Sequence, residues 1–301
     1  DSASAVDLDM RLALAMRRYW FERGLLGLGY RMTLEVLANG TTRAPSARHA
    51  ATLNDAGQIA AHMGRYDEAR GHLVESLAIA RSIGDRQRIA FVLQPLALAC
   101  AGVGDLGAAR TYLREGLELA REYGDQREVA AALNALAQIA RMEGDLATAE
   151  LLYQQVLDLG RGIPHIESVS LLNLAMVAIG RGAPDRARAM LLEVVAICAE
   201  TDSRLTGQSV IEVSAGLAAD LGDGGRAITF FGAAERQAGL SGIHRDPTDE
   251  AFLAPRIARA RASLAADACA GAEAAGRALD YATAIAEVHA WLAAAGPEPA
   301  P

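Results

Sequence analysis

Apolar side chains recur at helical spacing along most of the chain. Leu133, Leu136, Ala137 and Ala140 follow one another at steps of three, one and three. Ala149, Leu152, Tyr153, Val156 and Leu157 repeat the pattern one element later. Such a period places the apolar positions on one face of an α-helix. Between these stretches the chain is punctuated by glycine. Met63-Gly64-Arg65-Tyr66-Asp67-Glu68-Ala69 aligns with Val103-Gly104-Asp105-Leu106-Gly107-Ala108-Ala109 and with Glu143-Gly144-Asp145-Leu146-Ala147-Thr148-Ala149. These glycines stand 40 residues apart; Gly24 lies 40 before the first, and Gly182 and Gly222 follow at steps of 38 and 40. A second ladder, Gly84-Asp85 and Gly124-Asp125, interleaves with it. Glycine accepts the left-handed conformation that closes a helix, and an Asp behind it caps the free N–H groups of the next one. Asp125-Gln126-Arg127-Glu128 has capping-box spacing. Each period therefore predicts two antiparallel helices joined by tight turns. Strand signals are weak, and Asn39-Gly40 reads as a helix stop.

Small residues recur at fixed places: Gly57, Ala97, Ala137, Ala175 and Ala215 on the first helix of each pair, and Ala69, Ala109, Ala149, Ala187 and Ala227 on the second. Small side chains let two helix axes approach closely. The expected fold is all-α, a right-handed superhelix of antiparallel helix pairs over residues 1–240. A degenerate first pair covers 5–38 and five pairs cover 46–240. Residues 241–248, with Gly242 and Pro247, form the longest break. Two or three Ala-rich helices over 249–293 cap the stack, whose last apolar face would otherwise be wet. Residues 294–301 form a disordered tail.

Position by position, these periods resemble tetratricopeptide repeats in a long, 40-residue form. The family's large, Leu, small, Gly, Ala, large pattern is met by Leu133, Leu136, Ala137, Gly144, Ala149 and Tyr153, and by Leu93, Leu96, Ala97, Gly104, Ala109 and Leu113. The resemblance covers about residues 46–240; the family's terminal Pro is missing, which suits the longer second helix. Both ends carry a looser resemblance. The entry stretch Arg11 to Gly24, with Tyr19-Trp20-Phe21, and the closing motifs Phe230-Phe231-Gly232-Ala233-Ala234-Glu235 and Gly276-Arg277-Ala278-Leu279-Asp280 are similar to the C-terminal repeat region of large bacterial STAND-type ATP-binding transcriptional regulators. Those proteins often carry a LuxR-type or winged-helix DNA-binding module. The resemblance implies a sensor arm, with ATPase and output modules upstream. The first residue is Asp1 and no signal peptide follows it, so the chain reads as a cytoplasmic piece of a larger protein.

Composition narrows the chemistry. The 301 residues include 29 basic and 37 acidic side chains, a net charge of −8, and this balance argues against nucleic-acid binding by this segment. No lysine occurs, so Schiff-base, P-loop and lysine general-base chemistry are excluded. No run of 18 apolar residues is present to span a membrane. Cys100, Cys198 and Cys269 are widely spaced and read as reduced thiols. The six histidines form no HxxxH motif and lie near no cysteine pair, so no metal site is expected. Gly24-Leu25-Leu26-Gly27-Leu28-Gly29 has neither the order nor the lysine of a phosphate loop and reads as a helix–helix turn. Gly239-Leu240-Ser241-Gly242 misses nucleophile-elbow spacing. Glu115, Glu118 and Glu122, with Arg114 and Arg121, read as solvated ion-paired faces; Arg256, Arg259 and Arg261 form a short basic run. No catalytic residue, cofactor or metal is predicted, and the chain reads as a non-enzyme.

One polar pattern has binding chemistry. First helices of stacked pairs line a concave face. Position 5 of that helix carries Asn54, Gln94 and Asn134, and position 9 carries Gln58 and Gln138. Arg141 and Asn173 extend this ladder, and Val169, Leu172, Met176 and Ile179 give it an apolar half. Amides offer both donors and acceptors, so the ladder suits an extended peptide backbone, a protein segment or a polar small-molecule effector. Amides bonded to neighbouring helices give the same pattern without a ligand. In chaperone-binding members of the resembled family a lysine clamp grips acidic tails; here Ala51, Phe91 and Ala131 stand at position 2, so that clamp is absent. The rival reading is an assembly module in which apolar patches on the terminal helices form a homo-oligomer.

Overall fold

The computed structural model describes residues 2–40, 46–241 and 245–294; the expected tail from 295 onward, and Gly242 and His244 of the break, lie outside them. The described residues form fifteen α-helices and no strand. They run as α1 (Ser2–Glu22), α2 (Leu26–Gly40), α3 (Ala47–His62), α4 (Tyr66–Ser82), α5 (Arg86–Gly102), α6 (Leu106–Tyr123), α7 (Gln126–Met142) and α8 (Leu146–Leu159). There follow α9 (Pro164–Gly180), α10 (Pro184–Thr201), α11 (Arg204–Asp220), α12 (Gly224–Ser241), α13 (Pro247–Ala262), α14 (Ala266–Ala278) and α15 (Tyr281–Ala293). The all-helical solenoid of hairpins expected from the glycine ladder is the fold observed.

The turns explain the periodicity. Within each pair the chain reverses at a left-handed glycine, from Gly24 (φ 66°) through Gly64, Gly104, Gly144 and Gly182 to Gly222 (φ 81°). Asp85, Asp105 and Asp145 then accept the N–H groups of Arg88, Ala108 and Thr148 at 3.0 Å, capping α5, α6 and α8. Between pairs the ladder runs Gly84, Gly124, Gly162, and at the next step Asp202 takes the same left-handed turn with φ 50°. The step from Gly124 to Gly162 shortens to 38 because α8 is only 14 residues long, and the next step returns to 40 but ends on Asp202, a residue with a side chain.

The chain divides into two compact units, 1–139 with 241–247 and 140–240 with 248–301. In the first unit α1, α3 and α5 pack side by side as one layer, each against its hairpin partner α2, α4 or α6. Trp20, Tyr30, Ile59, Leu73, Leu93, Leu96 and Leu113 fill its core. Buried polar links pin the hairpins together: Ser76 Oγ donates to the Ala50 carbonyl at 2.7 Å, and the Tyr30 hydroxyl donates to Glu68 at 3.0 Å and touches His72 Nε2 at the same distance. Gly29 lets α2 lie on the Trp20 ring, where a Cβ would stand 2.6 Å from ring carbons. The Gly24–Gly29 stretch is thus a helix turn followed by a close contact.

In the second unit Leu191, Ile211, Leu217 and Phe230 form one core with Phe252, Leu253, Ile257 and Val288 of the last three helices. Here too glycine sets the spacing. A Cβ on Gly276 would stand 1.9 Å from the Thr229 carbonyl oxygen, so α14 lies backbone to backbone on α12.

Candidate functional site

The first-helix layer of the first unit presents most of the predicted amides. Asn54 and Gln58 lie one turn apart on α3 and are half-buried, Gln94 on α5 is exposed, and Asn134 and Gln138 on α7 are half-buried. Gln58 is engaged: Arg17 of α1 donates from Nη2 to its Oε1 at 2.6 Å. Asn54 Oδ1 is buried and makes no hydrogen bond. A buried acceptor without a donor costs roughly 1 to 3 kcal/mol, so this oxygen gains by accepting an N–H from elsewhere.

Around these amides sits a group the sequence reading missed. Asp55 is only 7% exposed, and its carboxylate lies 3.7 Å from Arg17 Nε. Burial pushes its pKa up to about 6, against the pull of the Arg17 and Arg88 guanidinium groups. Arg17 also lies 5.6 Å from the centre of the Phe21 ring, and Phe21 meets His62 edge to face at 4.9 Å. Burial, with help from Arg17, lowers the pKa of His62. Phe91, also on α5, leaves 47% of its surface exposed. The signal for Asp55 was available: it is the one acid of α3, beside Asn54 and between Leu53 and Ala56. Arg17 carried no such signal, because 41 residues separate it from Gln58.

The set can hold charge and amide groups, but it contains no activated nucleophile. The Cys100 thiol is pushed up by burial, as is that of Cys198, to about 11. Among the described residues no group of three or more His, Cys, Asp or Glu side chains is placed to hold a metal, and no helix is long and apolar enough to cross a membrane.

Comparison with known proteins fits this architecture. Residues 48–122 and 92–162 match one tetratricopeptide repeat model, and residues 169–201 match another. The chain carries tetratricopeptide repeats. It is similar in fold to a Rap protein complexed with Competence and Sporulation Factor, at 15% identity and TM-score 0.71, over 95% of this chain and 76% of that one. NprR in complex with its cognate peptide NprX is similar at 14% identity and TM-score 0.65, over 90% and 77% of the two chains. BtubC (BKLC) from P. vanneervenii gives 18% identity and TM-score 0.54, over 67% and 90%. No curated protein matches the chain in sequence.

In the tetratricopeptide repeats of the second unit the predicted ladder meets a different environment. Arg141, Asn173 and Met176 are 8%, 3% and 4% exposed. Met176, Leu172 and Ile179 share one core with Phe252 and Leu253 of α13, so the chain itself occupies the apolar half. Arg141 is held there by three groups. Nη2 donates to Asp249 at 2.7 Å, Nε donates to the Tyr153 hydroxyl at 3.4 Å, and the Phe252 ring centre lies 5.9 Å away. Arg256 approaches the same ring at 4.1 Å. Arg256 and Arg259 both pair with Asp220, and Arg261 pairs with Glu273, so each arginine of the basic run has an acidic partner. The expected ion-paired faces find partners on neighbouring helices: Glu115 pairs with Arg81 and Glu122 with Arg86.

Proposed function

We propose that this chain is a non-catalytic binding arm that takes an extended peptide, or an effector with peptide-like amides, along the first-helix layer of its first unit. Asn54, Gln58, Gln94, Asn134 and Gln138 supply the recognition, with Arg17 and Asp55 as its charged component. The observation that carries this reading is the unpaired Asn54 Oδ1 in a row of amides of which Gln94 is exposed and the others half-buried. An extended backbone offers N–H and C=O groups in alternation, which suits side chains that both donate and accept. The Rap and NprR structures, solved with Competence and Sporulation Factor and with NprX, support a peptide as ligand. Arg141, Asn173 and Met176 act in this reading as the floor of the second unit, and α13 takes the place of a ligand there.

By its resemblance, the arm belongs to the sensor end of a cytoplasmic bacterial ATP-binding transcriptional regulator. Ligand binding biases such a protein only to the extent that the ligand prefers one of its states. An ATP-binding module encoded upstream of Asp1 supports that assignment, and an unrelated upstream sequence removes it.

The binding test is calorimetry with a peptide selected on the protein from a random library, repeated with Asn54→Ala, Asn134→Ala and Gln138→Ala. Each loss of a hydrogen bond of about 1 kcal/mol is expected to weaken binding roughly fivefold to tenfold. Unchanged affinity in all three variants ends the assignment.

A further inference from the structure

The described helices carry prolines of two kinds. Pro164 and Pro184 open α9 and α10, where the first N–H groups have no partner inside the helix and a missing one costs little. Pro95 and Pro255 instead stand inside α5 and α13. An interior proline is the least favourable residue in a helix. It has no N–H, so the carbonyl four residues earlier loses the donor that the helix ladder supplies. In α5 that carbonyl belongs to Phe91. No side chain among the described residues donates to it in compensation.

The freed acceptor lies on the face that carries the amide row. Arg88, Phe91, Pro95 and Leu98 follow at steps of three, four and three, one stripe of α5. Phe91 and Gln94 are exposed, while Arg88, Pro95 and Leu98 are half-buried. α5 packs beside α3, whose Asn54 holds the same repeat position as Gln94. Two acceptors on neighbouring helices of the first unit therefore lack a donor, Asn54 Oδ1 and the Phe91 carbonyl. Packed helices have axes about 8 to 10 Å apart. That is about the distance between N–H groups two or three residues apart in an extended chain.

We propose that the Phe91 carbonyl is a main-chain subsite of this layer: it accepts one backbone N–H of an extended peptide, and the apolar side chain of that same peptide residue packs on the Phe91 ring. This subsite rests on the peptide-binding reading of the first unit and adds to it an acceptor that no pattern of polar side chains reveals. A carbonyl is a neutral acceptor and takes an N–H whatever side chain the residue carries, so this bond sets where the peptide lies. The Phe91 ring, 47% exposed, adds the preference for an apolar side chain. Proline is excluded from that peptide position because it has no N–H to give. A carboxylate is excluded from the carbonyl because it is an acceptor only.

The test is calorimetry with the library-selected peptide and its single amide-to-ester variants, each of which replaces one N–H by oxygen. Pro95→Ala returns an N–H to the middle of α5, which closes the Phe91 carbonyl and leaves every amide side chain of the row in place. It is expected to keep the fold and to bind the peptide roughly fivefold to tenfold more weakly. One ester position is expected to weaken binding to wild type by a similar factor, and binding to Pro95→Ala by less than about twofold, because there the carbonyl is already taken. Alanine at that peptide residue is expected to weaken binding to wild type but not to Phe91→Ala. If Asn54→Ala weakens binding while Pro95→Ala binds like wild type, the layer still takes a peptide and this subsite falls. Ester effects that are equal in the two proteins at every position overturn it as well. A protein that selects no peptide removes the subsite together with the reading beneath it.

Discussion

Replacing Asp55 with asparagine is expected to stabilise the protein, and the size of the gain follows from where the carboxylate sits. Asp55 is buried, and Arg17 Nε at 3.7 Å is too far for a hydrogen bond, so the charge has Coulombic but little hydrogen-bonded compensation. Burial raises its pKa from about 3.8 to about 6. The difference of about two pH units, at about 1.4 kcal/mol each, corresponds to roughly 3 kcal/mol against the ionised folded state. Between pH 4 and 6 the folded protein holds a proton that the unfolded chain has released. Stability therefore falls as pH rises through that window and is level above it. The asparagine side chain has the same shape and no charge to desolvate, but it forfeits the attraction of Arg17. A net gain of about 1 to 3 kcal/mol is expected at pH 7.5, shrinking towards zero near pH 4.

The assay is urea unfolding of wild type and Asp55→Asn at intervals from pH 4 to 8. His62 contributes with the opposite sign, because a histidine whose pKa is lowered by folding costs stability as pH falls through its unfolded pKa. The difference between the two proteins removes that contribution. A gain that does not vary with pH, or a variant less stable than wild type at pH 7.5, refutes the reasoning.

Three further outcomes follow from single contacts. Gly276→Ala is expected to cost about 3 kcal/mol or more and to lower the thermal midpoint, because the new methyl meets the Thr229 carbonyl oxygen at 1.9 Å and backbone has nowhere to yield. Asp202→Gly is expected to add about 0.5 to 1 kcal/mol in urea unfolding, since it relieves a left-handed non-glycine residue. Asp249→Ala is expected to cost about 2 kcal/mol by stranding the Arg141 guanidinium, the figure tempered by the 29% exposure of the Asp249 side chain. Adding Arg141→Met to that variant is expected to recover most of the loss.

What the sequence makes legible is local chemistry. A left-handed glycine with an aspartate behind it writes its meaning within five residues, which is why hairpin after hairpin is predicted correctly from Gly64, Gly104 and Gly144. Asp202 keeps the 40-residue step from Gly162 but breaks the residue rule, because a side chain there hides the same backbone turn. The candidate site is less legible because its members meet across long separations: 41 residues from Arg17 to Gln58, and 108 from Arg141 to Asp249. One signal was nonetheless present in the second unit. Every residue from Ser170 to Ile179 on α9 is buried, and that stretch is apolar all round except for Ser170 and Asn173. A helix apolar on every side is covered on every side, so Leu172 and Met176 are core positions by composition alone. On α3, by contrast, Asn54, Asp55, Gln58 and His62 bring polarity to the layer shared with α1 and α5. Buried polarity of this kind costs stability unless something satisfies it. Arg17 satisfies Gln58, and the Asn54 oxygen remains unpaired. That asymmetry between two helices of the same repeat family favours the first unit as the binding surface.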